Sequence, residues 1–165
     1  MAQLTLIADG RATAPLGLPG GFAMRPPEAA DTGKLGQLYF DSRVPGARHG
    51  DAAEAIQEVR SFFQGDFGGF WPEASGVIER DGKLVAALLA VHRAPWDDTP
   101  DCPFITDLFT DQRFRRQGLA RALLIRCLTE ASGTARPQVA LRVDSDNTPA
   151  MRLYQRMGFG LCGPE

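Results

Sequence analysis

The chain has 165 residues, room for one domain with a substantial core and not for two independent catalytic units. Eighteen Lys and Arg against 20 Asp and Glu leave a net charge of −2, which excludes bulk attraction to DNA or to an anionic membrane, so any anion site has to be local. Hydrophobic residues at 44% and charged residues at 23% exclude wholesale disorder.

In chain order, residues 1–21 read as an arm with one short strand at residues 4–8, set among the turn formers Asp9, Gly10, Pro15, Gly17, Pro19, Gly20 and Gly21. Thr5 interrupts the apolar stretch and Asp9-Gly10 closes it, so it is no secretory leader, and the chain is read as cytoplasmic. Residues 22–165 are expected to form the domain proper. A first core strand is predicted at residues 22–26, a helix over 31–40 with Leu35, Leu38 and Tyr39 at helical spacing, and a second helix over 51–63.

Five of the chain's 14 aromatic residues then crowd into residues 62–71 (Phe62, Phe63, Phe67, Phe70, Trp71), separated by Gly65, Gly68 and Gly69. Two readings stand: a satellite core that pins an irregular connection, or a wall of an apolar acceptor pocket. Residues 75–79 and 84–92 read as a hairpin through Asp81-Gly82, a pair suited to a two-residue turn. Its second arm contains the longest unbroken apolar run, the eight residues 84–91, far short of the roughly 20 that a spanning helix needs. A Pro-rich stretch, 94–103, leads to a strand at 104–109. Cys102, Cys127 and Cys162 are odd in number and widely spaced, so they are expected to be reduced and partly buried, and no metal is expected.

From residue 113 the sequence reads Arg-Phe-Arg-Arg-Gln-Gly-Leu-Ala and runs into a strongly helical stretch, 121–128. A helix start leaves backbone N–H groups unpaired along an axis whose dipole favours negative charge, so a phosphate binds well there. Gly118 and Ala120 permit close approach, and Arg113, Arg115, Arg116 and Arg121 offer charge-assisted hydrogen bonds. Taken alone, a glycine near a helix start beside surface arginines is common. The Gly-Lys-Ser/Thr ending of a P-loop and the three-glycine dinucleotide fingerprint are both absent.

A second constellation comes after a predicted strand at 139–143, where Asn147-Thr148-Pro149-Ala150 opens a helix with Pro in its first turn. Ala150, Leu153, Tyr154 and Met157 fall on one stripe, and Gly158-Phe159 ends it. A tyrosine so placed is ordinarily a packing residue with its hydroxyl at the edge.

Together, Arg115-x-x-Gly118-x-Ala120 and Asn147-x-x-Ala150-x-x-x-Tyr154-x-x-x-Gly158-Phe159 resemble the GNAT superfamily of N-acetyltransferases. The strand, two helices and hairpin that precede them match its layout. The resemblance implies an α/β (α+β) fold, a mixed, mostly antiparallel twisted sheet flanked by helices, with splayed central strands forming the acyl-CoA cleft. It implies acetyl-CoA as donor, its pyrophosphate held by the loop Arg115, Arg116, Gln117, Gly118, Leu119, Ala120 and Arg121. Its pantetheine arm would pair with the main chain of Leu108, Phe109 and Thr110. Asn147 and Ala150 match cofactor-contacting positions, and Tyr154 matches the tyrosine beside the thioester sulfur.

The implied reaction is direct attack of a neutral primary amine on the thioester, through an oxyanion held by backbone N–H groups. A thiol pKa of about 8.5 makes the thiolate a fair leaving group, so Tyr154 as proton donor adds roughly 10². An amine of pKa about 10.4 is neutral about once in a thousand near pH 7.4, so a base contributes up to roughly 4 kcal/mol. One branch of the family, the N-terminal acetyltransferases of ribosomal proteins, carries Glu five residues before the Asn, where this chain has Arg142. Asp107, Asp144, Asp146 and His92 are the replacement candidates. Asp107 is preferred, because Asp144 and Asp146 read as loop and cap residues and His92 and His49 as ordinary, partly exposed histidines.

The family closes its sheet with a strand pair after Gly-Phe, whereas six residues come after Phe159 here. Residues 3–9 are therefore expected to supply a strand, within the chain or across a dimer, that covers an exposed sheet edge. A homodimer is expected from family habit, with no nucleic acid or membrane partner. A non-catalytic acyl-CoA-binding sensor is the alternative reading, and a nucleic-acid binder built on the arginines is a weaker third because interleaved surface aromatics are lacking. The acceptor is not specified beyond an amine, with residues 62–71 hinting at an apolar one.

Overall fold

The computed structural model of the chain describes residues 2–15, 17–42 and 50–162. Among them run β1 (Gln3–Asp9), β2 (Phe22–Arg25), α1 (Thr32–Asp41), α2 (Ala52–Phe63), β3 (Gly76–Arg80), β4 (Lys83–Val91), β5 (Phe104–Thr110), α3 (Leu119–Ala131), β6 (Gln138–Asp144), α4 (Thr148–Arg156) and β7 (Gly160–Leu161). One sheet takes these strands in the order β2-β3-β4-β5-β6-β1-β7. Neighbours are antiparallel except β5 and β6, which run parallel. The mixed, mostly antiparallel sheet flanked by helices is the architecture the resemblance implied.

Local chemistry explains the element boundaries. At the start of α2 the Asp51 carboxylate accepts from the Glu54 N–H at 2.9 Å, and the Glu54 carboxylate accepts from the Asp51 N–H, a reciprocal capping box. Between β3 and β4, Asp81 and Gly82 have φ of 52° and 78°, the two left-handed residues that a type I′ turn requires. The apolar run in β4 is continuous because the strand is covered on both faces. Ala87, Leu89 and Val91 pack with α1 and α2, while Ala86, Leu88 and Ala90 pack with α3.

The aromatic segment after α2 is a satellite of the α1/α2 layer. Phe62, Phe63 and Phe70 meet edge to face with ring centroids 5.2 to 5.4 Å apart, and Phe67 meets Trp96 at 6.2 Å. Gly68 lets this connection close onto the end of β4: its φ is +114°, and an added Cβ would lie 2.2 Å from the Arg93 carbonyl oxygen. The phenylalanine rings thus pack on one another and on Trp96, as the first of the two sequence readings has it, whereas Trp71 belongs to the core on the α3 side. The three cysteines are free, with Cys102 and Cys127 buried.

Residues 3–9 pair with β6 along their whole length, from Gln3 opposite Asp144 to Asp9 opposite Gln138. On the far side of β1, Leu6 and Ile7 lie opposite Leu161 and Gly160 of β7. The edge of β6 is therefore covered within the chain, and β1 occupies the place between β6 and the last strand. Leu6, 2% exposed, anchors β1 in the α3/α4 layer. Leu6→Ala is expected to destabilise the fold by about 3 kcal/mol, read in urea melts as a lower midpoint at unchanged m.

Candidate active site

Two central strands part at the middle of the sheet. The parallel pair β5 and β6 is joined only at Phe104–Ala140 and Ile105–Leu141, and the remainder of both strands diverges. At the same level the β4–β5 register shifts at Leu89/Ala90, with Thr106 as the extra residue, and the Thr106 hydroxyl donates to the Leu89 carbonyl at 3.2 Å. Such a bulge bends its strand and re-aims the residues beyond it. Past it, the Asp111 N–H donates to the Val85 carbonyl at 2.8 Å. By strand alternation, Asp107 and Phe109 then turn their main-chain groups to β4, and Leu108 and Thr110 turn theirs into the gap. Of the three residues expected to offer main chain there, Phe109 does not, for this reason. Its ring instead packs in the α1/α2 layer, 5.1 Å from Tyr39.

Beyond β5 the chain makes a 3-10 turn, Gln112–Phe114, and then the basic loop. Asp111, 4% exposed, accepts from the Arg113 main-chain N–H at 2.9 Å and from its guanidinium at 2.9 Å. The guanidinium holds the Asp111 carboxyl below the usual carboxylate range. Arg115 donates to the Ser42 carbonyl at the end of α1, at 2.6 Å. Two of the arginines counted toward an anion site thus have partners within the protein.

Arg116 and Gly118 are both left-handed, with φ of 65° and 79°, and α3 starts immediately after Gly118 with no side chain capping it. Asp51 and Asn147, by contrast, cap α2 and α4 with their own oxygens. The first turn, uncapped by a side chain, leaves the N–H groups of Leu119, Ala120 and Arg121 without a partner inside the helix, a setting that favours an anion. Around it Arg116, Gln117, Gly118 and Arg121 are exposed, whereas the Leu119 side chain is buried.

Asn147 begins α4 by accepting from the Ala150 N–H at 3.3 Å. Tyr154, 8% exposed, lies edge-on to Phe159 at 5.7 Å, and its hydroxyl has no hydrogen-bond partner among the described residues. Burial, and secondarily the negative charge of Asp107, push its pKa up to about 12.

The other base candidates stand differently. His92 is exposed and stacks on Trp71 at 5.0 Å. Asp144 and Asp146 are exposed, and their carbonyls accept from Asn147 and Thr148 at 3.0 Å each, so they shape the turn into α4. His49 lies outside the described residues. Sequence reasoning missed one cluster: Arg142 pairs with Asp98 at 2.5 Å and lies over the Trp96 ring at 5.8 Å. Forty-four residues separate that ion pair, so no local spacing announces it.

A mixed sheet parted between two parallel strands, with a helix start uncapped by any side chain following the first of them, sets the class: an α/β protein with a cleft at the centre of its sheet. The chain belongs to the acetyltransferase (GNAT) family, whose model matches residues 35–159. It is 31% identical over 94 residues to a mycothiol acetyltransferase of Gordonia bronchialis, covering 56% of this chain and 30% of that one. It is 32% identical over 106 residues to a mycothiol acetyltransferase of Acidothermus cellulolyticus, covering 58% and 32%. The chain thus spans about a third of the length of the curated relatives it matches. Among solved structures, a GCN5-related N-acetyltransferase from Sphaerobacter thermophilus superposes with a TM-score of 0.68 at 18% identity, over 96% of this chain and 48% of that one. The aminoglycoside N-acetyltransferase AAC(6')-Iy, in complex with CoA, superposes with a TM-score of 0.66 at 17% identity, over 93% and 95%. At these identities the superpositions show a shared fold.

The Tyr154 pKa carries a stability consequence. Its folded value near 12 lies above the unfolded value of about 10. Stability is therefore full below about pH 10 and falls as pH rises toward 12, because only the unfolded chain releases this proton. Tyr154→Phe is expected to lose less stability than the wild type between about pH 10 and about pH 12 in urea melts.

Proposed function

We propose that the chain is an acetyl-CoA-dependent N-acetyltransferase that modifies a primary amine of a small molecule or peptide by direct attack in a ternary complex. The observation that supports this reading is the gap between β5 and β6, bordered by the main chain of Leu108 and Thr110, together with a buried tyrosine hydroxyl, Tyr154, that has no hydrogen-bond partner among the described residues and feels the charge of Asp107 on β5. A buried hydroxyl without a partner is unfavourable unless a ligand supplies one. The departing sulfur of acetyl-CoA is such a ligand.

In this reading the pyrophosphate sits on the start of α3, against the main chain from Gly118 to Arg121, with Arg116, Gln117 and Arg121 around it and Asn147 and Ala150 on the other flank. The amine nitrogen loses a proton to Asp107, directly or through water, and attacks the thioester carbonyl carbon. The carbonyl oxygen takes up negative charge beside an N–H of the gap, and the carbon–sulfur bond then breaks. A phenol near pKa 12 does not fully protonate a thiolate whose thiol has a pKa of about 8.5. Tyr154 therefore acts by hydrogen bonding to the sulfur as charge develops there, which supports a contribution of roughly 10² rather than an absolute requirement.

Thermal unfolding tests the donor. Acetyl-CoA at about a hundredfold excess over its Kd should stabilise the wild type by about 2.7 kcal/mol, which raises Tm by roughly 5 to 10 °C for a domain of this size. Gly118→Glu sets a carboxylate at the start of α3 and should abolish the shift. Absence of a shift in the wild type would remove the donor and with it this reading. In an amine screen monitored by thiol release, Tyr154→Phe should lower kcat by about 10² with the KM for acetyl-CoA within about twofold.

A further inference from the structure

The segment before β2 grips the unit that carries Tyr154 at both ends. At one end the Ser145 N–H, in the turn from β6 to α4, donates to the Ala2 carbonyl at 2.8 Å. At the other, the Arg11 guanidinium donates to the Met157 carbonyl at the end of α4, at 3.1 Å. Between them β1 pairs with β6 throughout. Arg11 is itself fixed, since its N–H donates to the Leu128 carbonyl of α3 at 3.0 Å and the Gly10 N–H donates to the Pro137 carbonyl at 2.7 Å. Gly10 allows this approach, because an added Cβ would lie 2.7 Å from the Ser132 nitrogen. None of these contacts from Ala2, Gly10 and Arg11 falls within the family match, which begins at residue 35.

We propose that Arg11 is a positioning residue for Tyr154, an inference that rests on the tyrosine's proposed role beside the thioester sulfur. The end of α4 is a Schellman motif: Gly158 has φ +94°, its N–H donates to the Gln155 carbonyl at 3.1 Å, and the Phe159 N–H donates to the Tyr154 carbonyl at 2.9 Å. The apolar contact that accompanies this motif is the Tyr154–Phe159 ring pair itself. Tyr154 is thus a member of the helix end, and the Met157 carbonyl of that end takes the guanidinium of Arg11. A cation at a helix C-terminus is favoured by the dipole, and a charged donor makes the stronger hydrogen bond. No hydrogen bond holds the Tyr154 hydroxyl among the described residues, so its position is set by the last turn of α4. Loosening that turn displaces the hydroxyl from the sulfur it serves, and small displacements of a reacting group lower rates steeply.

The chain has two tyrosines, Tyr39 and Tyr154, so 13C labelling at tyrosine Cζ gives a two-line NMR spectrum that is read without any turnover. Arg11→Met should shift or broaden the Tyr154 line and leave the Tyr39 line in place, and Arg11→Lys should restore most of it. Thiol release from acetyl-CoA with water as acceptor should slow about fivefold in Arg11→Met, with the KM for acetyl-CoA within about twofold. In a Tyr154→Phe background the same substitution should change the rate by less than about twofold. An unmoved Tyr154 line in Arg11→Met would overturn the proposal, as would an equal loss of rate in both backgrounds, the mark of general loosening. If Tyr154→Phe alone left the rate unchanged, the tyrosine's catalytic role would fall and this proposal with it, whereas the NMR line reports the Arg11 contact independently.

Discussion

Two parallel strands that pair at two positions and then part impose the constraint on which the site depends. Each strand remains well paired on its other side, β5 with β4 as far as Thr110 and β6 with β1 as far as Asp144. The divergence is therefore held by two intact ladders, with the Thr106 bulge re-aiming β5 where it begins. Main-chain groups of Leu108 and Thr110 are left without a strand partner in the middle of a sheet. Such groups are unfavourable unless something meets them. A chain that extends into the gap and offers amides of its own meets them in the manner of a missing strand, and the pantetheine arm of the proposed donor is such a chain.

The proposed anion site illustrates how far a net charge of −2 is from deciding local electrostatics. Of the arginines crowded around the loop, Arg113 neutralises the buried Asp111 and Arg115 ties the loop to the end of α1. Their work is to shape the loop. In the proposed function the attraction for phosphate then rests on the uncapped start of α3 and its dipole, supplemented by Arg116 and Arg121. Gly118 serves this by conformation as much as by size. At φ +79° it turns the chain into the helix without a side chain that could cap the first turn in a ligand's place.

Much of this was legible in the sequence where a residue type has a single physical consequence. Asp81-Gly82 made a two-residue turn, Asn147 with Pro149 started a helix, and Gly158 ended it. The wide gap between main-chain and side-chain information explains the rest. Nothing in residues 3–9 says which strand they join, since a short apolar strand carries no record of its partner. The facing of Leu108, Phe109 and Thr110 depends on one extra residue at Thr106, which a period-two reading of β5 does not register. The aromatic residues from Phe62 to Trp71 carried two readings because packing on one another and packing on a ligand demand the same composition. The Asp98–Arg142 pair and the Arg115–Ser42 contact join residues far apart in the chain and have no local signature.

Three elements meet around the gap, and each is held by a residue remote in sequence. β5 is held by Val85 through the Asp111 N–H, the basic loop by Ser42 through Arg115, and α4 by Arg11 through the Met157 carbonyl. Each tether ends on a main-chain group left over at an element boundary, so the same bonds that satisfy orphaned carbonyls and amides also set the distances between elements. Such tethers fix the elements without drawing on every polar side chain of the proposed site. The Tyr154 hydroxyl is the clearest case. It is buried, its pKa raised by that burial, and among the described residues it is placed by the helix end beneath it rather than by a hydrogen bond of its own. In the proposed reaction, a donor without a hydrogen-bond partner among the described residues exchanges nothing with them when sulfur arrives, and that preorganisation is how a weakly acidic phenol would assist a leaving thiolate.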